Sequence, residues 1–418
     1  MAVDLTWLIL AGGRGTRSAD PTLPKILQEI GGKTLLFHHL ETLDTGAGTK
    51  VLFVLNHGSE QVIAEIQKLR ASFEFLEMGF VIDEGLGPVN ALRAASSKIK
   101  TAYTAVILGD SAIDAPLIEI SRQAVASFGR GYHACVGIRQ SDHLLDSNFV
   151  TLDWQGDIQS FNLKGSSIRS TEGSICGVTG LYFLHTSDIA RLDQSASDVV
   201  EGIFRTIEPK RISPIRLSHY FRDTGTPARL ESVRKDSGNG LFRDGSPPKR
   251  RKAVFLDRDG TIVPNIDRGR KETHQGDLNQ DVVCSIKLLN ERRIPVFMVT
   301  NQPAVAKGFI TLSDVYRSNT QLQTLLWDSG AHLDDWEFCP HHPERGFAGE
   351  KLEFKVDCLC RKPKSGMLKK LASLHFLELS KESVLVGDSW ADRGAAESAG
   401  ISFVDVRHIQ DGLESILK

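Results

Sequence analysis

The sequence predicts an α/β protein in which two domains, each a sheet between two layers of helices, follow one another along the chain. Short apolar runs alternate with amphipathic helical stretches in both halves, as at 59–69 and 313–326, which is typical of parallel sheets with helices on both faces. Polar motifs follow several of the apolar runs, where open α/β sheets bind their ligands. At 418 residues, the chain is long enough for two sizeable cores.

A change in composition marks the predicted domain boundary. Residues 236–251, DSGNGLFRDGSPPKRR, are rich in glycine, serine, proline and charge and have no apolar periodicity. We therefore predict a first domain over 1–235, a linker over 236–251 and a second domain over 252–418. The basic run at 249–252 could also be a nucleic-acid patch or a targeting signal, but four charges that lead into a strand are more often part of a solvated linker.

Two aspartates follow the first predicted strand of the second domain. Residues 253–256 form a short apolar run, which predicts a buried strand. Asp257 comes at its end and Asp259 two residues later, while Gly260 allows the backbone to turn sharply. One carboxylate can attack a phosphorus atom while the other manages the leaving-group proton, provided that a cation screens their repulsion.

Two further segments supply groups that would bind a phosphoryl group. Thr300 and Asn301 end the next apolar run, so they offer a hydroxyl and an amide to phosphoryl oxygens. Arg361 and Lys362 offer positive charge to the outer oxygens of a group in transfer.

A third strand end adds carboxylates. Asp388 closes the apolar run 384–386 and is a natural Mg²⁺ ligand, because Mg²⁺ takes few carboxylates and keeps waters for its other positions. Asp392 could bind or orient those waters. Each piece alone is more often an ordinary loop residue, but four pieces at successive strand ends favour a common site.

Together these segments resemble the haloacid dehalogenase superfamily of phosphatases, over the whole predicted second domain. The resemblance implies that Asp257 is the nucleophile and forms an aspartyl-phosphate, and that Asp259 is the general acid and then the base. It also implies that Thr300 and Lys362 bind the phosphoryl group. Mg²⁺ would be held by Asp257, Asp388 and the backbone carbonyl of Asp259.

A second cluster of ligand-type residues lies in the same domain. CPHHP at 339–343 is followed by CLC at 358–360, and two close ligand pairs joined by a loop predict a closed tetrahedral zinc site. Its ligands would be Cys339, His341, Cys358 and Cys360. A disulfide or scattered thiols are the alternative, but three of only six cysteines cluster here beside a histidine. Zinc would fix the loop that carries Arg361 and Lys362.

These cysteine and histidine segments resemble a narrower group, the heptose-bisphosphate and histidinol-phosphate phosphatases. That group typically lacks a large cap domain, so we expect a capless fold here. The loop at 265–280 differs from the group's usual one, and without a cap such a loop would help to choose the substrate.

The first domain opens with a glycine-rich loop after a short apolar run at 8–10. Backbone amides of such a loop can approach phosphates closely, and its arginines add positive charge. The loop residues expected at the nucleotide are Gly12, Gly13, Arg14, Gly15 and Arg17. Lys25 follows a proline ahead of an apolar segment, where it could bridge phosphates during nucleotidyl transfer.

The segment LAGGRGTRSADPTLPKIL at 10–27 resembles the sugar-1-phosphate nucleotidyltransferase family. The resemblance implies that Lys25 and Arg17 hold the triphosphate. It also implies two Mg²⁺ ligands, Asp110, which ends a predicted strand, and Asp223, in the segment RDTGTP at 222–227 that resembles the family's later aspartate segment.

Further positions resemble the family's substrate contacts. Glu84 and Gly87 fall in the segment that contacts the base, and Lys164 falls where a lysine binds the sugar phosphate. Residues 87–90, GPVN, stand where Gly-Thr-Ala-Gly is usual, and Leu163 stands in place of a frequent glutamate. The sequence therefore leaves the base and the sugar open.

Composition agrees with a two-domain enzyme. The formal net charge is −2, so there is no general electrostatic reason to expect binding to nucleic acid or membranes. No run approaches 18 apolar residues and no signal peptide is apparent, which predicts a cytoplasmic protein. The remaining cysteines, Cys135, Cys176 and Cys284, are expected to be small core residues.

The two resemblances imply two Rossmann-like α/β/α domains, one of the nucleotidyltransferase fold and one of the capless haloacid dehalogenase fold. They also imply that the two domains catalyse consecutive reactions in nucleotide-sugar biosynthesis. The phosphatase would remove the distal phosphate of a sugar bisphosphate, and the transferase would join the resulting sugar 1-phosphate to a nucleoside triphosphate. Resemblance points to D-glycero-D-manno-heptose 1,7-bisphosphate and, by analogy, to GTP.

Two alternatives stay open. Both activities could act on another phosphorylated sugar or polyol, including histidinol phosphate at the phosphatase. The first domain could instead be a non-catalytic nucleotide-sugar sensor. The sequence does not fix the oligomeric state.

Overall fold

The computed structural model describes residues 4–13, 22–43, 48–139, 148–153, 155–166, 174–242, 251–265 and 274–409. Among the helices of these segments, none combines the length and the apolar character needed to cross a membrane.

The first domain is built on one large sheet with two small ones beside it. Its strands are β1 (Leu5–Leu10), β2 (Glu29–Ile30), β3 (Lys33–Thr34), β4 (Thr49–Leu55), β5 (Leu76–Ile82), β6 (Tyr103–Leu108), β7 (Ser111–Asp114), β8 (Ala134–Arg139), β9 (Phe149–Leu152), β10 (Ile158–Asn162), β11 (Ser174–His185), β12 (Ile212–Arg216) and β13 (Tyr220–Asp223). Its helices are α1 (Leu35–Leu43), α2 (Ser59–Leu69), α3 (Pro88–Ser96), α4 (Leu117–Gly129), α5 (Val199–Thr206) and α6 (Pro227–Gly238).

The large sheet has the order β10-β9-β11-β6-β1-β4-β5, with β8 paired to β11 and β12 paired to β8. Strands β6, β1, β4 and β5 are parallel, as predicted, but β11 runs antiparallel to β6, β8 and β9. The sheet is therefore mixed. The predicted parallel strands are joined by antiparallel ones, because β10 pairs antiparallel with β9 and β9 pairs antiparallel with β11.

Strand β1 shows why the sheet is buried on both faces. Trp7 and Ile9 belong to one apolar core and Leu8 to the core on the opposite face, because successive side chains of a strand point to opposite sides. Each of these side chains is at most 1 % exposed. The three-layer arrangement predicted for this domain is confirmed.

The second domain has five parallel strands in the order β16-β15-β14-β17-β18. They are β14 (Val254–Leu256), β15 (Val296–Asn301), β16 (Asp335–Cys339), β17 (Val384–Gly387) and β18 (Ser402–Asp405). Its helices are α7 (Gln280–Glu291), α8 (Leu312–Asp328), α9 (Gly366–Leu374) and α10 (Trp390–Ala399). Two apolar cores lie on the two faces of the sheet, which confirms the predicted fold class here as well.

The end of the first domain lies beyond residue 235. Helix α6 continues to Gly238, and Phe242 is fully buried in a small cluster with Ile30 and Leu35. The predicted linker therefore begins within a helix, and its residues 243–250 lie outside the described part of the chain.

One cysteine differs from its expected environment. Cys135 and Cys176 are buried, as predicted, whereas Cys284 is exposed. It lies on α7, whose buried positions include Val282, Val283 and Ile286, so residue 284 falls outside the apolar stripe of that helix.

The two domains meet at the amino ends of strands β14, β15 and β16. Arg216 of the first domain donates to Asp335 at 2.5 Å, and His375 lies 2.9 Å from the same carboxylate. Phe376 packs into a core cluster of the first domain. In a parallel sheet the carboxyl ends of all strands lie at the opposite edge, so the phosphatase motifs of the second domain are on the side away from this contact.

Candidate active sites and metal centre

Asp257 follows β14 directly and lies at the carboxyl edge of the second sheet. Its side chain is buried, and the Lys362 ammonium lies 2.5 Å from its Oδ1. Burial raises the pKa of Asp257 to about 6, although Lys362 opposes the shift. The carboxylate is thus shielded from water beside a fixed cation, which suits a nucleophile for an anionic phosphoryl group.

Asp259 is held by a different set of contacts. Its Oδ2 accepts from Gln302 at 2.8 Å and from Thr300 at 3.4 Å. The Arg258 guanidinium lies along both oxygens, with distances of 3.1 Å and 3.0 Å. The Asp259 side chain is 25 % exposed, so it can exchange a proton with solvent or a leaving group. The sequence located Asp259 and Thr300, but not the roles of Arg258 and Gln302.

Lys362 is placed by its backbone as well as by its charge. Its ammonium also lies 2.6 Å from Asp392 and donates to the Val299 carbonyl at 2.9 Å. Asn301 donates to the Lys362 carbonyl at 3.1 Å and accepts from its N–H at 3.0 Å. Asn301, predicted to contact substrate, therefore positions the backbone of Lys362 with both ends of its amide.

Three carboxylates form a candidate magnesium site. Oxygens of Asp257, Asp388 and Asp392 all lie within 4.8 Å of one another. Gly260 has φ of +87°, and a Cβ on it would lie 2.0 Å from Asp388 Oδ2, so only glycine leaves room for that carboxylate. Asn265 donates to Asp388 at 3.2 Å. The oxygen-only donor set fits Mg²⁺, with Asp388 exposed to bring in the metal's waters.

The predicted zinc ligands come together in one cluster. Sγ of Cys339 lies 3.5 Å from that of Cys358 and 3.3 Å from that of Cys360, and His341 Nδ1 lies 3.2 Å from Cys360 Sγ. Four donors this close fit a single tetrahedral Zn²⁺ ion. Hydrogen-bond contacts with Cys339, and then with Cys358 and His341, lower the pKa of the Cys360 thiol to about 5 although burial opposes them, which is the direction that a metal-binding thiolate requires.

The cysteine cluster is tied to the phosphatase site. Cys339 ends β16 beside Asn301 of β15, and Arg361 donates to the His341 carbonyl at 3.2 Å. Cys360, Arg361 and Lys362 are consecutive. The cluster therefore fixes the segment that delivers the Lys362 ammonium to Asp257.

The first domain contains a large open cavity at the carboxyl ends of β1, β4 and β6. Its volume is about 1290 Å³, which is large enough for a nucleotide and a sugar phosphate together. Predicted site residues that line it are Gly12, Gly13, Lys25, Gly87, Asp110, Lys164 and Asp223. Gly87, with φ of +105°, precedes the amino end of α3, where backbone N–H groups favour an anion.

Lys25, Asp110 and Asp223 converge at one side of this cavity. Lys25 Nζ lies 2.8 Å from Asp110 Oδ2. Strand β13 pairs with β7 so that Asp223 lies opposite Ser111, and the Thr224 N–H donates to the Asp110 carbonyl at 2.8 Å. A Cβ on Gly225 would lie 2.7 Å from Asp223 Oδ1, 3.3 Å from Lys25 Nζ and 3.4 Å from Asp110 Oδ2. Both carboxylates therefore lie beside Lys25 at the same side of the cavity.

Some residues that the sequence predicted for this site are not among those that line the cavity. Glu84 is exposed and does not line the cavity, whereas its neighbour Asp83 does. Arg14, Gly15 and Arg17 lie outside the described residues.

Cavity-lining residues that the sequence did not indicate are Asn56, Arg139, Asn148, Arg222 and Arg229. Arg229 forms an ion pair with Asp223. Asn148 accepts from the Lys164 N–H at 2.8 Å and so fixes the backbone of that lysine. In the sequence these residues are marked only by a position beside a strand end or on α6. Many solvent-exposed residues have such positions, so the sequence alone does not single these out.

Comparison with known proteins agrees with the division of the chain into two domains. Residues 7–167 match the MobA-like NTP transferase domain family. D-glycero-beta-D-manno-heptose-1,7-bisphosphate 7-phosphatase of Rhodopseudomonas palustris is 37 % identical over 156 residues, which are 36 % of this chain and 81 % of that protein. The enzyme of the same name from Escherichia coli K12 is 34 % identical over 151 residues, 36 % of this chain and 75 % of that protein. The chain belongs to the D-glycero-β-D-manno-heptose-1,7-bisphosphate 7-phosphatase family. It therefore joins a nucleotidyltransferase domain to a phosphatase domain, which confirms the predicted fusion and the predicted two enzyme classes.

Among solved structures, HddC from Yersinia pseudotuberculosis is 20 % identical with a TM-score of 0.45, and the match covers 55 % of this chain and 98 % of that one. At that score the likeness decides nothing about function.

Proposed function

We propose that this chain catalyses two consecutive steps of nucleotide-sugar synthesis, dephosphorylation of D-glycero-D-manno-heptose 1,7-bisphosphate at the distal position and transfer of a nucleotide, from GTP, to the resulting heptose 1-phosphate. The observation that carries the phosphatase step is the buried Lys362 ammonium between Asp257 and Asp392 at 2.5 Å and 2.6 Å. The sugar is proposed from the names of the relatives, and GTP from resemblance to heptose 1-phosphate guanylyltransferases. A nucleoside triphosphate substrate favours the cytoplasm.

In the phosphatase step, an Asp257 oxygen attacks the distal phosphorus while the bond from phosphorus to the sugar oxygen breaks. Asp259 gives its proton to that oxygen, and the sugar 1-phosphate leaves. Asp259, now a carboxylate, takes a proton from water, which attacks the aspartyl-phosphate and releases inorganic phosphate. Lys362 and Thr300 bind the phosphoryl oxygens, as the resemblance implies, and Arg361 adds charge at the rim.

The metals are part of the proposal. Asp257, Asp388 and the backbone carbonyl of Asp259 would hold Mg²⁺, which supplies positive charge against the phosphate and screens the two aspartates from each other. Asp392 is buried against Lys362 and accepts from Ser389, so it orients the site rather than taking up water freely. Zn²⁺ in the cysteine cluster would be structural.

In the transferase step, a phosphate oxygen of the sugar 1-phosphate attacks the α-phosphorus of the triphosphate, and pyrophosphate leaves. Lys25, and Arg17 by resemblance, would hold the triphosphate, while Asp110 and Asp223 would hold the Mg²⁺ that neutralises it. Lys164 would bind the sugar phosphate. The convergence of Lys25, Asp110 and Asp223 in one large cavity supports catalysis over a sensor role.

Mass spectrometry of a one-pot reaction tests the proposal. Purified protein, Mg²⁺ and each anomer of heptose 1,7-bisphosphate would be incubated with each of the four ribonucleoside triphosphates in turn. We expect an NDP-heptose from one anomer and mainly from GTP. Phosphate release without any nucleotide sugar would contradict the transferase assignment, and absence of turnover with either anomer would contradict the proposed sugar.

A further inference from the structure

A small second cavity lies between the two domains, and it belongs to neither active site. We call it the interdomain cavity. It is lined by Arg139, Ser218, His219, Tyr220, Phe221 and Arg222 of the first domain and by Arg251, Asn290, Arg293, Ile294, Pro295, His332 and Asp334 at the boundary and in the second. Its volume of about 40 Å³ exceeds the roughly 10–15 Å³ that one water occupies on this measure. It suits a small ion and is too small for a nucleotide.

The cavity is lined by four arginines and a single carboxylate. Arg293 has an ion pair with Asp236 at 3.2 Å, yet its buried Nε has no hydrogen-bond partner. Asp334, the acidic residue of the lining, accepts from the Val296 N–H at 2.8 Å. Among the residues that line this space, arginines therefore outnumber carboxylates by four to one.

Arg251 is the least compensated of these groups. It donates to the Ser218 carbonyl at 3.2 Å, and no carboxylate of the described residues lies within ion-pair distance of it. Burial lowers the pKa of its guanidinium, but arginine stays charged in proteins. The Asp334 and Asp114 carboxylates oppose this shift from beyond ion-pair distance, so a desolvated cation here gains further stabilisation when an anion joins it.

His219 provides a second, independent observation. It is 3 % exposed, and neither of its ring nitrogens has a hydrogen-bond partner. Burial, then the nearby Arg251 and His375, hold its pKa well below the ordinary value, so the ring is neutral and has one N–H to donate. Buried polar groups in native proteins almost always have partners, and here the side chain faces the interdomain cavity.

We propose that the interdomain cavity binds a small tetrahedral oxyanion, inorganic phosphate, through the Arg251 guanidinium with His219 and Arg293 as further donors. Guanidinium groups match the geometry of phosphate oxygens and form strong charge-assisted hydrogen bonds with them. Phosphate is also the product that the proposed phosphatase reaction releases, although the cavity lies at the opposite edge of the sheet from Asp257.

The position of the cavity connects it to the transferase side. Arg139, Phe221 and Arg222 line both the interdomain cavity and the large cavity of the first domain. Arg222 immediately precedes Asp223 on β13. A bound phosphate would therefore contact the strand that carries a proposed metal carboxylate.

Isothermal titration calorimetry with inorganic phosphate tests this site. The full-length Lys25→Met/Lys362→Met variant is the background, because it removes the cation of each proposed active site and needs no activity for the readout. We expect one phosphate-binding event on this background, weakened roughly tenfold or more by adding Arg251→Met and several-fold by adding His219→Phe. Sulfate should compete with phosphate, and mannose 1-phosphate should not.

Arg292→Met is the matched control, because Arg292 is exposed next to Arg293 and does not line the cavity. Equal weakening by Arg251→Met and Arg292→Met would overturn the proposal, as would no binding on the background. Thermal unfolding without phosphate checks the fold of each variant. Without phosphate, Arg251→Met should melt no lower than its background, because it removes a buried charge that has no ion-pair partner within reach. With phosphate, it should lose the rise in melting temperature that the background shows. A low melting temperature with an unchanged phosphate response would assign Arg251 a structural role only.

Discussion

The two active sites of this chain are built in opposite ways. The phosphatase site is compact: Asp257, Lys362 and Asp392 are buried and compensate one another's charge. The transferase site is an open cavity in which Asp110 and Asp223 are 28 % and 45 % exposed. In a buried site, removal of one charged side chain leaves its partner buried without a counter-charge, so a loss of catalysis also lowers the stability of the fold. In an open site, water solvates the remaining partner, so a catalytic side chain can be removed with little loss of stability.

The largest effect should come from Asp257→Asn. Without the nucleophile, phosphate release should fall by roughly four orders of magnitude or more, while transfer to a supplied sugar 1-phosphate should stay within twofold of wild type. Phosphate and nucleotide-sugar assays on one preparation measure both. Asp357→Asn, on an exposed carboxylate of the same domain, is the control. Loss of both activities in folded protein would show that the sites are not independent.

Matched lysine variants compare the stability of the two sites. Lys362→Met leaves Asp257 and Asp392 buried without their cation, so we expect a loss of about 3–5 kcal/mol in unfolding free energy. Lys25→Met breaks a more exposed pair, at 16 % and 28 % exposure, and should cost less than about 1 kcal/mol. Each should reduce its own activity by roughly a hundredfold or more.

Denaturant unfolding followed together with both activities gives these values. Equal stability losses in the two variants would contradict the distinction between a buried and an open site.

Zinc removal, with Mg²⁺ kept in excess, should affect only the phosphatase half. Cys358→Ser, or a zinc chelator, should lower phosphatase activity roughly tenfold or more by releasing the segment that carries Lys362. Transfer to a supplied sugar 1-phosphate should not change. Cys284→Ser removes an exposed thiol of the same domain and serves as the control. Metal analysis showing no zinc in active wild-type protein would refute the structural zinc.

The domain interface should give the smallest effect on activity and a stability that depends on pH. Arg216 and His375 hold the pKa of Asp335 well below its usual range, although burial opposes them. A depressed carboxyl pKa stabilises the folded state above the unfolded value of about 3.9, and this stabilisation is lost as the pH falls below it.

Melting temperatures of wild type and Asp335→Asn between pH 7 and pH 3 test this. The stability difference between the wild type and the variant should begin to shrink below about pH 4, and both activities of the variant at neutral pH should stay within twofold of wild type. A constant difference between the two proteins across that range would contradict the assignment.

The phosphatase site could be predicted from the sequence because its groups stand in short motifs at the ends of parallel strands, and such ends share one edge of a sheet. Asp257, Lys362 and Asp388 lie together at that edge, and Cys339, His341, Cys358 and Cys360 form one cluster. The role of Asn301 could not be predicted, since its bond to the Lys362 backbone depends on the path of a distant loop.

The transferase site was less predictable. Its lining comes from many strands and helices, and single residues such as Arg139 carry no signal of their own. Glu84 was placed by resemblance, but the turn at Gly85 leaves it exposed. Contacts between the domains, such as that of Arg216 with Asp335, join residues 119 positions apart and leave no local pattern.

The central claim is that two independent sites act in sequence and exchange the sugar 1-phosphate through solvent, since the phosphatase motifs face away from the domain contact. Mixing Asp257→Asn with Lys25→Met protein, in the presence of the bisphosphate and GTP, tests this directly by mass spectrometry of the nucleotide sugar. Neither variant alone should make the product, and the mixture should make it at a rate set by the active domains present. Failure of the mixture, with each variant retaining its own partial activity, would contradict the account.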